Sequence, residues 1–566
     1  MMMMMLMMRN VAMILSTLFL LLLLAGASSS GASQKPNILF LMVDEMDGRA
    51  LGESSPVLLP NLEKLMKRGT SFANTYVASP QCVPSRVTLF TGRHTSKTKT
   101  WSNMKGLSYS PRTGKLDEAC VKYYNASICT RWKNETRGFT TTIVDMLIDA
   151  GYTPRLYGKL DIGANVLSHP YAKFGNNDGF HGGASLITVS RTADIRKATR
   201  ASPLEATDDE YNDWAWPVDA QTARNCSAFL KRAASTPPSQ PFFLYCSFNA
   251  PHPPFLVNRT WTNFVSEERI EKLPTWLSPD AMHPADSYMS IAKSMLSATG
   301  SIQFNATQIK KVRRAYYGMV AQADYLVGSV LKTLESLSNL NSNTLIVFLS
   351  DHGDMAMQHR QYLKNSMYEA STRVPLVFAG NGIPRGKTIQ GFASLLDVLP
   401  TLIDVAGADV PARIRNDLDG ISLVPVMMKN ESMLKGRCVA SQYHSNEGNT
   451  GSFMLRCESW KYIAFGRTDY PPQLFNLVED PEELVDLAKL AEYSGIVGMM
   501  DARLVQEIGN YEMIDKEAVA CDCTSYDTFF LSKNRSELKS AFQRSYSGFD
   551  DADWEKVQQW YANICM

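Results

Sequence analysis

The chain has 566 residues, 45% of them hydrophobic and 20% charged, and a formal net charge of +1. That length allows more than one domain and a large core, and the composition excludes an intrinsically disordered chain. The near-neutral charge excludes bulk attraction to nucleic acid or to an anionic membrane, so an anionic substrate must be held by a local cluster of cations.

Residues 1–27 read as a secretory signal. Arg9 supplies a positive n-region, Val11 to Leu24 is a mostly apolar run, and Ala25-Gly26-Ala27 offers small residues for cleavage. The other reading of this run is a retained signal anchor. No later run approaches the roughly 20 apolar residues of a membrane span. The expectation is a lumenal or secreted protein without stable membrane insertion. Asn-x-Ser/Thr triplets at Asn125, Asn134, Asn225, Asn258, Asn305, Asn430 and Asn534 become credible glycosylation sites behind such a signal. The ten cysteines include the close pairs Cys120/Cys129 and Cys521/Cys523, which suit an oxidising compartment.

Asn37 to Val43 is a continuous apolar run, the pattern of a strand buried on both faces, and it stops abruptly at Asp44-Glu45. Leu59 to Gly69 places Leu62, Leu65 and Met66 at helical spacing, with Gly69 as the stop. Thr140 stands where it would cap a helix carrying Ile143, Leu147 and Ile148. Phe242 to Phe248 is a second strand run, leading into Asn249-Ala250-Pro251-His252. Thr344 to Leu349 is a third, leading into Ser350-Asp351-His352-Gly353-Asp354, and Thr307 to Leu337 before it is a long helix. Pro375 to Gly380 reads as a further strand, and Phe392 to Ala406 as a helix interrupted at Pro400. Alternating buried strands and helices predict an α/β fold with a mainly parallel sheet, whose sites gather at the carboxyl ends of strands.

Beyond about residue 430 the texture changes to short strands at Met454 to Arg456, Trp460 to Ile463 and Gln473 to Leu477, then a turn-and-helix segment at Glu479 to Leu484. The expected division is a catalytic α/β domain over residues 35–430 and a smaller α+β domain with an antiparallel sheet over 431–566.

The chemistry concentrates in Ser79-Pro80-Gln81-Cys82-Val83-Pro84-Ser85-Arg86, running on to Thr91-Gly92-Arg93. Pro84 suits the first turn of a helix, which puts Cys82 at a helix N-terminus, where free N–H groups favour anions and activate a thiol. Arg86, one turn later, is a permanently charged fork suited to a tetrahedral oxyanion. Asp44 and Asp351 each end a buried strand, followed by Glu45 and His352. Carboxylates gathered at sheet ends repel one another unless a cation joins them. Oxygen-rich ligation favours Ca²⁺, with Mg²⁺ second.

These segments resemble the type I sulfatases. The resemblance covers residues 35 to at least 487. It includes Cys82-x-Pro84-Ser85-Arg86 with Thr91-Gly92-Arg93, Gly158-Lys159, Pro251-His252-Pro253, Lys364 with Tyr368-Glu369, Val374-Pro375, Trp460-Lys461-Tyr462 and Leu474-Phe475-Asn476-Leu477. It implies the alkaline-phosphatase-like sulfatase fold, and oxidation of Cys82 to formylglycine by the formylglycine-generating enzyme. The hydrate of that aldehyde would be the nucleophile. Implied metal ligands are Asp44, Cys82, Asp351 and His352, with Glu45 beside them. Implied catalytic and substrate-binding groups are Arg86, Lys159, His252 and Lys364, with His252 the acid that protonates the departing sugar oxygen. At an ordinary pKa of about 6.5 this imidazole would be largely protonated in an acidic lysosome.

Finer segments, Met282 to Tyr288 and His359 to Tyr362 with Ser366 to Ser371, resemble a lysosomal branch of the family. That branch acts on 2-O-sulfated uronate, chiefly glucuronate, in glycosaminoglycans. The chain departs from the commoner family pattern at Glu45, at His352, and at Asp161, which replaces the histidine of Gly-Lys-x-His. That histidine's role must pass to another group, such as His169 or a water. His283, His444, Arg360, Arg373 and Lys461 read either as substrate contacts or as structural groups. Other readings of the whole are a sulfatase of different specificity, a phosphodiesterase or phosphonate hydrolase on the same fold, and an inactive glycan-binding relative.

Overall fold

A strand buried on both faces, β1 (Asn37–Asp44), is the axis of the molecule. In this computed structural model residues 35–103, 142–162, 217–271, 277–296, 302–444 and 450–519 are described, except positions 53, 294 and 430, together with 130, 173, 174, 551 and 555. The proposed signal, Asn125, Asn134, Asn430, Asn534, Cys120, Cys129, Cys521, Cys523, Thr140 and His169 lie outside them.

Around β1 stand β2 (Gly69–Tyr76), β3 (Thr153–Gly158), β4 (Lys173–Phe174), β5 (Phe242–Pro251), β6 (Thr344–Ser350), β7 (Arg373–Val374), β8 (Leu376–Gly380) and β9 (Lys387–Ser394). The order is β4-β3-β5-β1-β6-β8-β2-β7, with β9 also paired to β2. From β4 through β6 every pairing is parallel, whereas β8 runs antiparallel to both β6 and β2. The sheet is therefore mixed and mostly parallel.

Side chains alternate along β1, so one strand feeds two cores. Leu39, Leu41 and Val43 pack with α1 (Pro60–Arg68), α4 (Pro217–Ser235) and α5 (Ala306–Glu335). Ile38, Phe40 and Met42 pack with α2 (Cys82–Thr91), α3 (Ile143–Asp149) and α6 (Val398–Ala406). Each of these side chains contributes roughly 1.5–3 kcal/mol by leaving water. The consequence for function is rigidity: Asp44 ends a strand buried along its whole length.

Three local expectations are corrected. Thr142, not Thr140, caps α3, in a capping box with Asp145. Phe392 lies in β9, and the helix begins only at Val398, so Pro400 sits in the first turn, where a missing N–H does no harm. Glu479 to Leu484 is a turn without a helix, and α7 (Ser494–Ile508) comes later.

A second, antiparallel sheet is formed in order by β10 (Cys438–Tyr443), β11 (Ser452–Cys457), β12 (Trp460–Phe465) and β13 (Gln473–Asn476). Met454, Ile463 and Phe475 on one face meet Tyr76, Met367 and Tyr368 of the main body. Phe453, Leu455 and Tyr462 on the other pack against Met500 and Leu504 of α7. Disulfides join Cys226 to Cys246 and Cys438 to Cys457, and Cys82 is a free, buried thiol.

Candidate active site

Cys82 opens α2, every residue of which is buried. Gln81 precedes it in extended conformation without a side-chain cap, and Asn103 Oδ1 instead accepts the Val83 N–H at 3.0 Å. Cys82 Sγ lies 3.2 Å from His352 Nε2 and 4.0 Å from Asp44 Oδ1. Burial and Asp44 oppose ionisation of the thiol. Lys159, Lys364 and His352 outweigh them and bring it down to about 6. Burial likewise opposes charge on His352, but Asp351 and Cys82 hold it up at about 9. In the unmodified chain without an ion, these shifts favour a thiolate facing an imidazolium.

Parallel pairing brings the ends of β1, β5 and β6 side by side, which is why distant sequence segments meet here. Arg86 reaches across them. Its Nε donates to Asp351 Oδ2 at 2.7 Å, and its Nη1 donates to Lys159 O, Ser247 Oγ and Tyr245 Oη at 2.9, 3.1 and 3.3 Å. Nη2 lies 3.7 Å from Asp44 Oδ2 and has no hydrogen-bond acceptor among the described residues. Lys159 pairs with Asp44 and lies 3.1 Å from Asp161, so Asp161 occupies the neighbourhood of an ammonium group where the family pattern has a histidine. Gly158 makes this turn possible: its φ is +88°, and a Cβ would sit 1.8 Å from Ser247 O.

Glu45 does not join Asp44 and Asp351. Its backbone turns left-handed, with φ +74°, and its carboxylate meets Lys364 Nζ at 2.8 Å and His252 Nε2 at 3.4 Å. Glu45 lies outside the four-residue cluster and is the anionic partner of Lys364, while its Oε1 is buried without a hydrogen-bond partner among the described residues. His252, partly exposed, donates from Nδ1 to Pro253 O at 2.7 Å, which leaves Nε2 facing the site. The expectation of an ordinary histidine is also corrected, because burial and the charge of Lys364 push His252 down to about 4. In the free protein it is neutral even under mildly acidic conditions.

Lys461 is not exposed. It is fully buried, 2.8 Å from both Glu369 and Glu483, where it ties β12 to the main body. His283 caps the Pro284–Ala292 helix and stacks on Phe465, and buried His444 lies 3.1 Å from Gln442. Arg373 donates to Ala73 O and Arg360 to Leu277 O. His283 and Arg360 also line a cavity with Asp286, Tyr368 and Glu483.

Sequence reasoning passed over Asp219. Buried in the first turn of α4, it accepts Asn249 N, Asn249 Nδ2 and Ala250 N at 2.9, 2.9 and 2.8 Å, clamping the turn that presents His252. It also passed over Lys293, which holds the Lys364 carbonyl at 2.6 Å. Neither position belongs to a motif, so only the fold reveals them.

Ligand atoms of Asp44, Cys82, Asp351 and His352 all lie within 4.8 Å of one another, and all four residues are buried. Arg86 and Lys159 hold the outer carboxylate oxygens and leave the inner pair facing the cluster. The donor set fits a divalent cation, since two buried carboxylates need compensating charge at close range.

A family model described as Sulfatase matches residues 36–408, and one described as N-sulphoglucosamine sulphohydrolase, C-terminal, matches residues 357–510. Arylsulfatase K of Canis lupus familiaris is 32% identical over 506 residues, covering 85% of this chain and 83% of its own. The solved structure of BT1596, a 2-O GAG sulfatase, is 24% identical with a TM-score of 0.61, covering 84% of this chain and 92% of its own. That of the phosphonate monoester hydrolase of Agrobacterium radiobacter is 23% identical with a TM-score of 0.59, covering 83% and 95%. At those identities the two solved structures speak to the fold alone.

Proposed function

This chain belongs to the sulfatase family, whose members hydrolyse sulfate esters, and from that premise we propose that it removes 2-O-sulfate from uronate, chiefly glucuronate, in glycosaminoglycans. The observation that carries the chemistry is the convergence of Arg86, Lys159 and Lys364 on a buried cysteine at a helix N-terminus. Likeness to arylsulfatase K supports the substrate class. The proposed setting is the secretory pathway and the lysosome, with secretion as the alternative.

Asp44, Asp351, His352 and the side chain at position 82 would hold one divalent ion, which we assign as Ca²⁺. The ion supplies Lewis-acid activation of a hydroxyl, and formylglycine at position 82 supplies the hydroxyl that attacks sulfur. The chain's own groups do the rest. Arg86 Nη2, the guanidinium nitrogen without an acceptor, is the donor left for a sulfonyl oxygen. Lys159 and Lys364 are buried ammonium groups whose pKa is raised against the effect of burial, Lys159 by Asp161 and Asp44, Lys364 by Cys82 and Glu45. Once position 82 is formylglycine the thiolate is gone, and Glu45 and Asp44 remain to hold Lys364 charged, as Asp161 and Asp44 do Lys159. His252 Nε2 is the proton donor to the sugar oxygen. It is neutral in the free enzyme and takes up its proton when the anionic sulfate arrives beside it.

The test is mass spectrometry of the peptide containing Cys82, from cells with the formylglycine-generating enzyme. Exchange of CH₂SH for CHO should lower the mass by about 18 Da. The same material should release sulfate from a 2-O-sulfated glucuronate disaccharide. An unmodified thiol together with no sulfate release would sink the proposal.

A further inference from the structure

The four clustered side chains offer a different donor set before Cys82 is oxidised than after it. As thiol, the set is one sulfur, one imidazole nitrogen and two carboxylate oxygens. Soft and borderline donors in tetrahedral array select zinc-class ions, whereas Ca²⁺ takes six to eight oxygens.

The distances admit a four-coordinate ion. His352 Nε2 lies 3.2 Å from Cys82 Sγ, 3.5 Å from Asp44 Oδ1 and 3.8 Å from Asp351 Oδ1, and Cys82 Sγ lies 4.0 Å from Asp44 Oδ1. Edges of a tetrahedron are about 1.6 times its centre-to-corner distance. These four edges average about 3.6 Å and the other two are bounded at 4.8 Å, which places a central ion roughly 2.2–2.5 Å from its ligands. That span takes in zinc bonds of about 2.0–2.3 Å and reaches the calcium range of about 2.3–2.6 Å, so the sulfur and nitrogen donors make the choice.

The surroundings are already oriented. His352 Nδ1 donates to the Gly353 carbonyl at 3.1 Å, which fixes the ring and aims Nε2 into the cluster. Lys159 holds Asp44 Oδ2, Arg86 holds Asp351 Oδ2 at 2.7 Å, and the N–H groups of His352 and Glu45 orient Asp351 Oδ1 at 2.9 and 3.2 Å. Gly353 itself is required, since a Cβ there would lie 1.9 Å from Ala370 O.

We infer that the unconverted chain, with Cys82 as thiol, is a zinc-class metal site built from Asp44, Cys82, Asp351 and His352, and that oxidation of Cys82 removes the sulfur ligand and turns the centre toward a hard oxygen-preferring ion. This deepens the reading of the same site and rests on it in treating Cys82 as the residue converted. When the ion binds, one proton leaves the Cys82–His352 pair to solvent, the sulfur–metal and nitrogen–metal bonds form, and nothing is oxidised or reduced.

The experiment uses the full chain produced in a host without the formylglycine-generating enzyme, exchanged against Zn²⁺ or Co²⁺ in the presence of excess Ca²⁺. Elemental analysis should find about one zinc per chain, and the Co²⁺ form should show a thiolate-to-cobalt charge-transfer band with tetrahedral ligand-field bands. Cys82→Ala should abolish the charge-transfer band, and His352→Asn should weaken zinc binding at least about tenfold. Cys82→Ser, close in size to the native residue, should melt like the wild-type apo-protein and still lose the zinc. Thiol-form protein that retains calcium in preference to zinc, or zinc that persists unchanged in both Cys82 variants, would overturn the inference. The aldehyde mass shift in converted protein is read separately, so failure of the sulfatase reading and failure of this one are told apart.

Discussion

Arg86 Nε lies 2.7 Å from Asp351 Oδ2, and both side chains are fully buried. A pair withdrawn from water this completely is worth little net, yet removing one member leaves a bare charge and costs about 3–5 kcal/mol. Arg86→Lys keeps the charge but cannot reach Asp351, Lys159 O, Tyr245 and Ser247 together. It should lower kcat for sulfate-ester hydrolysis by about 10²–10³ and lower Tm measurably. Near-wild-type turnover by Arg86→Lys would show that Nη2 does not serve the sulfonyl group.

Cys82→Ser isolates the second hydroxyl of the hydrate. A serine has only one, so it can accept the sulfonyl group and has no route to release it. In competent cells the variant should give a single turnover and then stall, with a mass increase of about 80 Da on the peptide that carries position 82. Steady turnover at the wild-type rate would remove the aldehyde from the mechanism.

The uninterrupted runs of β1, β5 and β6 are legible in the sequence because burial on both faces leaves no alternation to misread, and polar residues at their ends mark the site. Strand direction is not: Leu376 to Gly380 is as apolar as Thr344 to Leu349, and nothing local says that it runs antiparallel. Cys438 to Tyr443 escaped notice because Ala440, Ser441 and Gln442 are buried without being strongly apolar. The pairing of Glu45 with Lys364 could not be read locally, because the φ of +74° that swings it there is a tertiary constraint on a non-glycine residue. Lys461 reads as a surface cation until Glu369 and Glu483 are seen to enclose it.

His252 tests proton delivery. With a free-enzyme pKa of about 4 and the protonated form required, kcat/KM should fall as pH rises above that value. The limb in kcat should lie at higher pH, because bound sulfate stabilises the imidazolium. His252→Gln should cost about 10²–10⁴ on a sugar sulfate and far less on an aryl sulfate whose phenolate leaves without a proton. Equal losses on both substrates would remove His252 from proton transfer.

Buried acids away from the metal cluster set the pH dependence of stability. Burial pushes Glu483 up to about 7, opposed by Lys461 and reinforced by Glu369. Burial also lifts Asp219 to about 6 against its three hydrogen bonds. In an unfolded chain both would titrate near 4. The folded state therefore keeps protons that the unfolded chain has released, so this stability is present in full below about pH 4 and is lost as pH rises through 6 and 7. Glu369, lowered to about 2 because Lys461 and Arg373 outweigh its burial, has the opposite sign, but its window lies below about pH 4.3. Between about pH 5 and pH 8, with divalent ion saturating, these two acids together should lower the unfolding free energy by about 4 kcal/mol, while His252 and His359, held at about 4 and about 3, contribute with the opposite sign below about pH 6.5. Glu483→Gln and Asp219→Asn should each flatten that slope. A pH dependence of Tm that is the same in both variants as in the wild type would show that these two acids do not contribute.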